Sequence, residues 1–507
     1  MQSYIQVNGI TNFGWVEHLK YLGVDIGTGG SRAVVIDDRG KIVAQATEPH
    51  APFDSPQPGW SEQDPDDWWR ASSAAIRTVM TTVPADEIGA VSFSGQMHGS
   101  VFLDENDRVI RPALLWNDQR TEPQVEWLRS TIGDTRLIEL TGNRAVTGFT
   151  LPKLLWLREN ESENWTRVKT VLLPKDYIRL RLTGDKASDV ADSSGTLMFD
   201  VRNRCWSDEM LAAVDLDVSI LPRVYESTEV TGVVSPDGAS ATGLKKGTPV
   251  VAGAGDNAAG AIGAGIVVPG SMGVTIGTSG VVFIVTDTPR FDPKGRTHSL
   301  CHAIPGRWHM TGVTLAAGYS LKWLRETIAP DRSYDELTAE AAKVRPGSDG
   351  LIWLPYLMGE RSPHMDANAR AGFIDLTASH TRGHLVRAVM EGVAFSLKES
   401  IDIFSGLGAP IDEIRLGGGG ATSALWRQIQ ADVYGRSVSM IEGDEGAAMG
   451  AAILAGVGVG AWDSVDSACA EVIKIRETIE PNTEATIVLE ENYETYRSLY
   501  PALKSVM

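Results

Sequence analysis

Two stretches of this chain repeat one pattern, and the repeat limits the folds open to it. In the first, Leu22-Gly23-Val24-Asp25-Ile26 and Ser31-Arg32-Ala33-Val34-Val35-Ile36 flank Gly27-Thr28-Gly29-Gly30. In the second, Gly273-Val274-Thr275-Ile276 and Val281-Val282-Phe283-Ile284-Val285 flank Gly277-Thr278-Ser279-Gly280. Apolar, β-branched runs around a tight Gly/Thr/Ser turn read as a hairpin whose backbone N–H groups and hydroxyls open toward an anion. Ile26-Gly27-Thr28-Gly29-Gly30 aligns residue for residue with Ile276-Gly277-Thr278-Ser279-Gly280. A whole strand-turn-strand pattern seldom recurs by chance, so two related halves are expected, meeting near residues 266–271. The expected division is a first half at 21–266 and a second at 267–507, with residues 1–20 an extension ahead of the first strand. Where the first copy has Asp25 the second has Thr275, so only the first turn carries a carboxylate. A carboxylate repels phosphate directly but accepts a hydrated Mg²⁺ that the phosphate shares.

Between the hairpins, apolar strand-like runs alternate with helical stretches, which makes the chain α/β. Several of these runs end in polar residues, where open α/β sheets place ligands. Ile88 to Ser94 leads into Gly95-Gln96-Met97-His98-Gly99, and Leu114-Leu115 into Trp116-Asn117-Asp118-Gln119-Arg120. Pro249 to Gly255 leads into Asp256-Asn257 and the small-residue run Ala258 to Gly265. An acid among glycines at a buried strand end is costly unless it is hydrogen-bonded or used. Asp256 also stands where it would cap the following helix. It lies outside the repeated hairpins, just before the second one begins. Glu413 to Leu416 runs into Gly417-Gly418-Gly419-Gly420-Ala421, bare backbone against which a flat ligand or a phosphate can lie. The Gly-Lys pair Gly40-Lys41 is followed by Ile42, so no Walker-type loop is present.

Composition excludes several partners. The formal net charge of −19 disfavours nucleic acid and anionic membrane, both of which need a basic surface. An anionic ligand must therefore be held by local donors or metal. Cys205, Cys301 and Cys469 are far apart and form no metal or disulfide pattern, and no apolar run is long enough to span a bilayer. A reducing cytoplasm is the expected compartment.

With these motifs in view, the chain resembles the FGGY carbohydrate kinases from about Tyr21 to nearly its end. Phe149-Thr150-Leu151-Pro152-Lys153-Leu154-Leu155-Trp156-Leu157-Arg158-Glu159-Asn160 fits one signature of that family. Gly372-Phe373-Ile374-Asp375-Leu376 through His380 to Glu391 fits the other. The resemblance implies two actin-like, ribonuclease-H-like α/β domains with a cleft between them, using ATP and Mg²⁺. It implies Asp256 as catalytic base and Asp25 near the transferred phosphate, holding Mg²⁺ through water. Gly27, Thr28 and Gly29 would form one phosphate turn and Gly277, Thr278 and Ser279 the other, while Gly417, Gly418, Gly419, Gly420 and Ala421 would face adenosine. Met97, His98, Trp116, Asn117, Asp256 and Asn257 would contact the sugar, in the manner of members that convert D-xylulose to D-xylulose 5-phosphate for the pentose phosphate pathway. Many relatives carry Ser in place of Gly29. A kinase of another pentulose or polyol is the nearest rival. From another class, an actin-like or chaperone-like ATPase would turn over ATP indifferently to sugars. A homodimer is among the assemblies the sequence allows.

Overall fold

The computed structural model describes residues 19–443 and 446–507. The expected extension falls outside the described residues except for Leu19 and Lys20, and Lys20 already belongs to the first strand.

The first half is built on strands β1 (Lys20–Ile26), β2 (Gly30–Ile36), β3 (Ile42–Pro49) and β4 (Ile88–Gly95), with helix α1 (Pro65–Met80) between the last two. Helices α2 (Thr150–Asn160) and α3 (Pro174–Thr183) belong to a long insertion after β4. Strands β5 (Val230–Val233), β6 (Pro249–Val251) and β7 (Ala254–Gly255) and helix α4 (Asp256–Gly263) close this half. The second half contains β8 (Ser271–Ile276), β9 (Gly280–Thr286), β10 (His298–Cys301), β11 (Trp308–Thr314), α5 (Arg382–Gly406), β12 (Glu413–Gly417), α6 (Ala424–Tyr434), β13 (Val438–Ile441), α7 (Gly446–Gly458), β14 (Ile475–Ile479) and α8 (Thr483–Leu503).

The two sheets repeat one topology. The first runs β5-β6-β4-β1-β2-β3, with β7 also on β4, and the second runs β10-β11-β9-β8-β12-β13-β14. In each, a central strand pairs antiparallel with the next strand in sequence and parallel with a later one, β1 with β2 and β4, β8 with β9 and β12. Asp25 lies opposite Ser94 of β4, and Thr275 opposite Gly417 of β12, so these two residues are counterparts in space as well as in sequence.

Strand periodicity decides what covers each face. Leu22, Val24 and Ile26 point to one side of β1 and pack with Trp68 and Ile76 of α1. Each fully buried side chain of this kind contributes roughly 2 kcal/mol. Tyr21 points to the other side with Val34 and Ile36, and there the cover is Ala448, Ala452 and Ile453 of α7, with Trp462 beyond. Gly23 shares that face, and a Cβ on it would meet the Ala448 carbonyl oxygen at 2.0 Å. A helix from the second half of the sequence thus lies on the first half's sheet. Helices α4 and α7 cross with backbones almost touching, since a Cβ on Gly450 would lie 1.8 Å from the Ala259 oxygen. Each of the two helices follows an equivalent strand, β6–β7 or β13. The repeat therefore extends beyond the hairpins, and Asp256, the first residue of α4, lies inside it rather than outside.

Candidate active site

The face of β1 that carries Gly23 also carries Asp25 at its cleft end. Asp25 is half-buried, and its Oδ1 has no hydrogen-bond partner. Burial raises its pKa above the ordinary carboxylate value, opposed by the Ser94 hydroxyl and Arg32. Asp256 is pushed further, to about 7, first by burial and then by the negative charge of Asp25. The two acids are therefore near enough for one charge to act on the other. Gly255, not Asp256, is the cap residue of α4, and no side chain caps that end. The Asp256 carboxylate instead accepts from Asn257 Nδ2 at 3.1 Å, so its second oxygen is left for chemistry.

The sugar-side residues converge on Asn257. Its Nδ2 also approaches Met97 Sδ at 3.4 Å, and a Cβ on Gly255 would lie 2.8 Å from Met97 Cγ, so glycine is needed there. His98 has a left-handed backbone, φ +67°, uncommon for a residue other than glycine. Its carbonyl accepts from Lys153 Nζ at 2.8 Å and Thr150 Oγ1 at 3.2 Å, and its ring packs 4.8 Å from Phe149. The Phe149–Asn160 signature is thus the clamp that holds His98 in a strained conformation. Burial and the nearby Lys153 lower the imidazole pKa to about 3, so the ring is neutral. Since His98 Nδ1 lies 2.8 Å from the Gly195 carbonyl, that nitrogen carries the proton and Nε2 is an acceptor.

Trp116 and Asn117 sit on a loop fixed from below. Arg120 binds Asp118 at 2.7 Å and Glu62 at 2.6 Å and stacks 3.7 Å over Trp60, while the Ser61 N–H donates to Asp118 at 2.7 Å. The half-exposed Trp116 ring donates from Nε1 to Thr28 Oγ1 at 3.0 Å, and that hydroxyl lies 3.1 Å from Gln96 Oε1. The Thr28 hydroxyl is therefore spent within the protein, contrary to the expectation that it faces phosphate. Only backbone N–H groups of this turn are available to a phosphate.

The turns also differ in length. The Gly27 N–H donates to the Gly30 carbonyl, whereas Gly277 donates to Ser279, one residue less, so their alignment is not residue for residue. Thr278 is exposed and Ser279 half-buried, and neither side chain has a hydrogen-bond partner among the described residues. Their hydroxyls remain open. A cavity of about 550 Å³ runs from Asp256 and Asn257 along α4 to Thr275, Gly417, Gly418 and Ala421, and so lies between the halves. Gly420 does not face it but packs on Ile276, which a Cβ would approach to 2.5 Å.

Sequence reasoning missed a buried charge cluster beside the base. Lys175 of α3 contacts Asp176 at 2.5 Å, Asp189 at 2.6 Å and Asp192 at 3.9 Å, all fully buried. Asp192 lies against Gly255, and burial together with its acidic neighbours raises its pKa well above normal. The polar run Ser188 to Gly195 was the available signal. Among the described residues no group of three or more His, Cys, Asp or Glu is placed to hold a metal ion by itself.

Models of the FGGY family of carbohydrate kinases match this arrangement in two parts, the N-terminal domain over residues 20–263 and the C-terminal domain over 272–459. The chain belongs to the FGGY family of carbohydrate kinases. It is 38% identical to the xylulose kinase of Bacillus subtilis (strain 168), over 96% of this chain and 98% of that protein. It is 39% identical to the xylulose kinase of Escherichia coli (strain K12), covering 96% of this chain and all of that one. The crystal structure of the xyloylose kinase of Brucella ovis superposes with a TM-score of 0.91 at 38% identity, over 96% of this chain and 100% of that chain. As a family member the protein is a two-domain α/β kinase that phosphorylates carbohydrate.

Proposed function

We propose that this chain transfers the γ-phosphoryl group of ATP to the 5-hydroxyl of D-xylulose, with Asp256 as the base. The observation that carries this reading is the position of Asp256. It lies beside Asn257, which reaches Met97, at one end of a cavity that extends along β8 and β9 to Gly417, Gly418 and Ala421. Phosphoryl transfer asks little covalent work of a protein: the reactants must be aligned, charge neutralised and one proton accepted. The sugar hydroxyl gives its proton to Asp256, its oxygen bonds to the γ-phosphorus, and the bond to the β-phosphate oxygen breaks to release ADP. A base of pKa near 7 is half ionised at neutral pH, which suits both taking the proton and returning it to solvent. Neutral His98 offers Nε2 to a sugar hydroxyl. Thr278, Ser279 and the backbone of both turns bind phosphates, and Gly417, Gly418 and Ala421 form the wall for adenosine.

Asp25 suits a hydrated Mg²⁺ bound through water, because its Oδ1 is buried and unpartnered. The ion would add positive charge at the phosphates, which a chain of net charge −19 otherwise repels. In this reading residues 21–266 and 267–507 act as complementary halves whose closure completes the site. No helix among the described residues is long and apolar enough to cross a membrane, in keeping with a cytoplasmic enzyme. A homodimer is testable by sedimentation.

Coupled ADP release across D-xylulose, other pentuloses, gluconate and glycerol tests the proposal. D-xylulose should give a kcat/KM at least about tenfold above the others. A higher value for another sugar would reassign the substrate, and ATP turnover indifferent to sugars would remove the kinase reading of this chain.

A further inference from the structure

Gln96 is 2% exposed, and its side-chain Nε2 has no hydrogen-bond partner. Which amide atom faces which neighbour follows from chemistry. The Trp116 indole N–H is a donor only, so at 3.0 Å it uses the Thr28 hydroxyl as acceptor. The Thr28 hydroxyl proton must then point elsewhere, and Gln96 stands 3.1 Å away. Gln96 therefore presents Oε1 to Thr28, and its two N–H donors face away from that bond. The backbone holds the residue in place as well, since the Gln96 N–H donates to the Ile26 carbonyl at 2.8 Å. A positioned, buried donor without an acceptor is unusual and costly, and a ligand oxygen would satisfy it.

We propose that Gln96 is a sugar-binding residue, its Nε2 donating to an oxygen of the acceptor sugar, and that the Trp116–Thr28–Gln96 relay exists to aim it. This rests on the sugar-kinase reading and names a contact within that site. Sugar is favoured over phosphate as the acceptor because Gln96 is continuous with Met97 and His98, which meet Asn257 and Gly195 on the sugar side. The relay has a further effect. Trp116 lies on the sugar-side loop and Thr28 in the first phosphate turn, so displacing either one misdirects the donor.

Two substitutions remove the donor with opposite side effects. Gln96→Met keeps the length and adds no charge, while Gln96→Glu keeps an oxygen for Thr28. Each should raise the KM for D-xylulose about 10- to 100-fold and leave the KM for ATP within about twofold. Analogues of D-xylulose that keep the reacting 5-hydroxyl and lack one other oxygen each identify the contact: one of them, weakened with wild type, should lose nothing further with either variant. Should one variant fail to fold, the other decides. An unchanged KM for D-xylulose, a rise confined to ATP, or equal penalties for every analogue in variant and wild type would overturn the assignment. A wild-type enzyme that phosphorylates no sugar would instead remove the kinase reading, so the two failures are distinguishable.

Discussion

Between β1 and β2 the turn Gly27–Gly30 is tied down by distant residues. Gln63 Nε2 donates to the Thr28 carbonyl at 2.9 Å, Trp116 and Gln96 hold the Thr28 hydroxyl, and the His50 N–H donates to the Gly29 carbonyl at 3.0 Å. Between β8 and β9 the carbonyls of Gly277 and Thr278 are also occupied, by N–H groups of Ala317, Gly318 and Tyr319, but the hydroxyls of Thr278 and Ser279 are not. The same hairpin is thus used in two ways. The first copy spends its hydroxyl on Trp116 and Gln96 and carries a carboxylate, Asp25, which in the proposed reading holds the metal. The second leaves its hydroxyls open and carries Thr275 where the first has the carboxylate. Duplication supplied the shape, and the long-range contacts separated the roles.

The largest effect expected concerns Asp256, at the start of α4. Asp256→Asn should lower kcat by about 10³-fold while calorimetry shows D-xylulose still binding. A variant retaining a tenth of wild-type turnover would show that Asp256 is not the base. Next comes the pair of counterparts. Asp25→Asn should cost about 10²-fold in rate and raise the Mg²⁺ concentration for half-maximal activity, whereas Thr275→Val should change either by less than about threefold. Equal losses would mean that the halves are not divided as described.

The same substitution sharpens the electrostatics. Activity in wild type should fall on the acid side of about pH 7, as Asp256 gains a proton. The Asp25 charge raises that pKa, so Asp25→Asn should lower it and move the acid limb of the kcat profile to lower pH; a shift to higher pH contradicts the coupling. At the helix crossing, Gly450→Ala should destabilise by about 1–3 kcal/mol, read as a lowered Tm, because its Cβ would run into the Ala259 carbonyl. Gly260→Ala, with nothing within 4 Å of its Cβ, should leave Tm level or slightly raised. The smallest effect is at Gly29, also open to 4 Å around a Cβ, where Gly29→Ser should add a donor and lower the KM for ATP by no more than about threefold.

Much of the fold was legible because it rests on local pattern. The apolar alternation around each turn marks strands that the structure contains, and in the structure Asp64 and Ser423 cap the helices that follow them. The duplicated α/β sheets were legible from the hairpins alone. The helix crossing was not, since Gly446 to Gly458 reads equally well as any small-residue helix, and only contact with Gly23 and Ala259 reveals where it lies. In the site, residue types at strand ends pointed to Asp25, His98, Asn257 and Asp256. The fate of the Thr28 hydroxyl was hidden because its partners are 68 and 88 residues away. The strain at His98 and its support by Lys153 are likewise properties of three-dimensional placement that no spacing encodes.

The seating of α7 on β1 also governs how this chain comes into being. A ribosome delivers β1 to β3 roughly four hundred residues before the helix that covers one of their faces. Until residue 446 emerges, Tyr21, Val34 and Ile36 lack their cover of Ala448, Ala452 and Ile453. Synthesis therefore exposes a sticky, half-finished layer for most of its duration, and the first half becomes durable only when the last quarter arrives. Severing the gene between the hairpins would yield two fragments, each needing the other to be soluble.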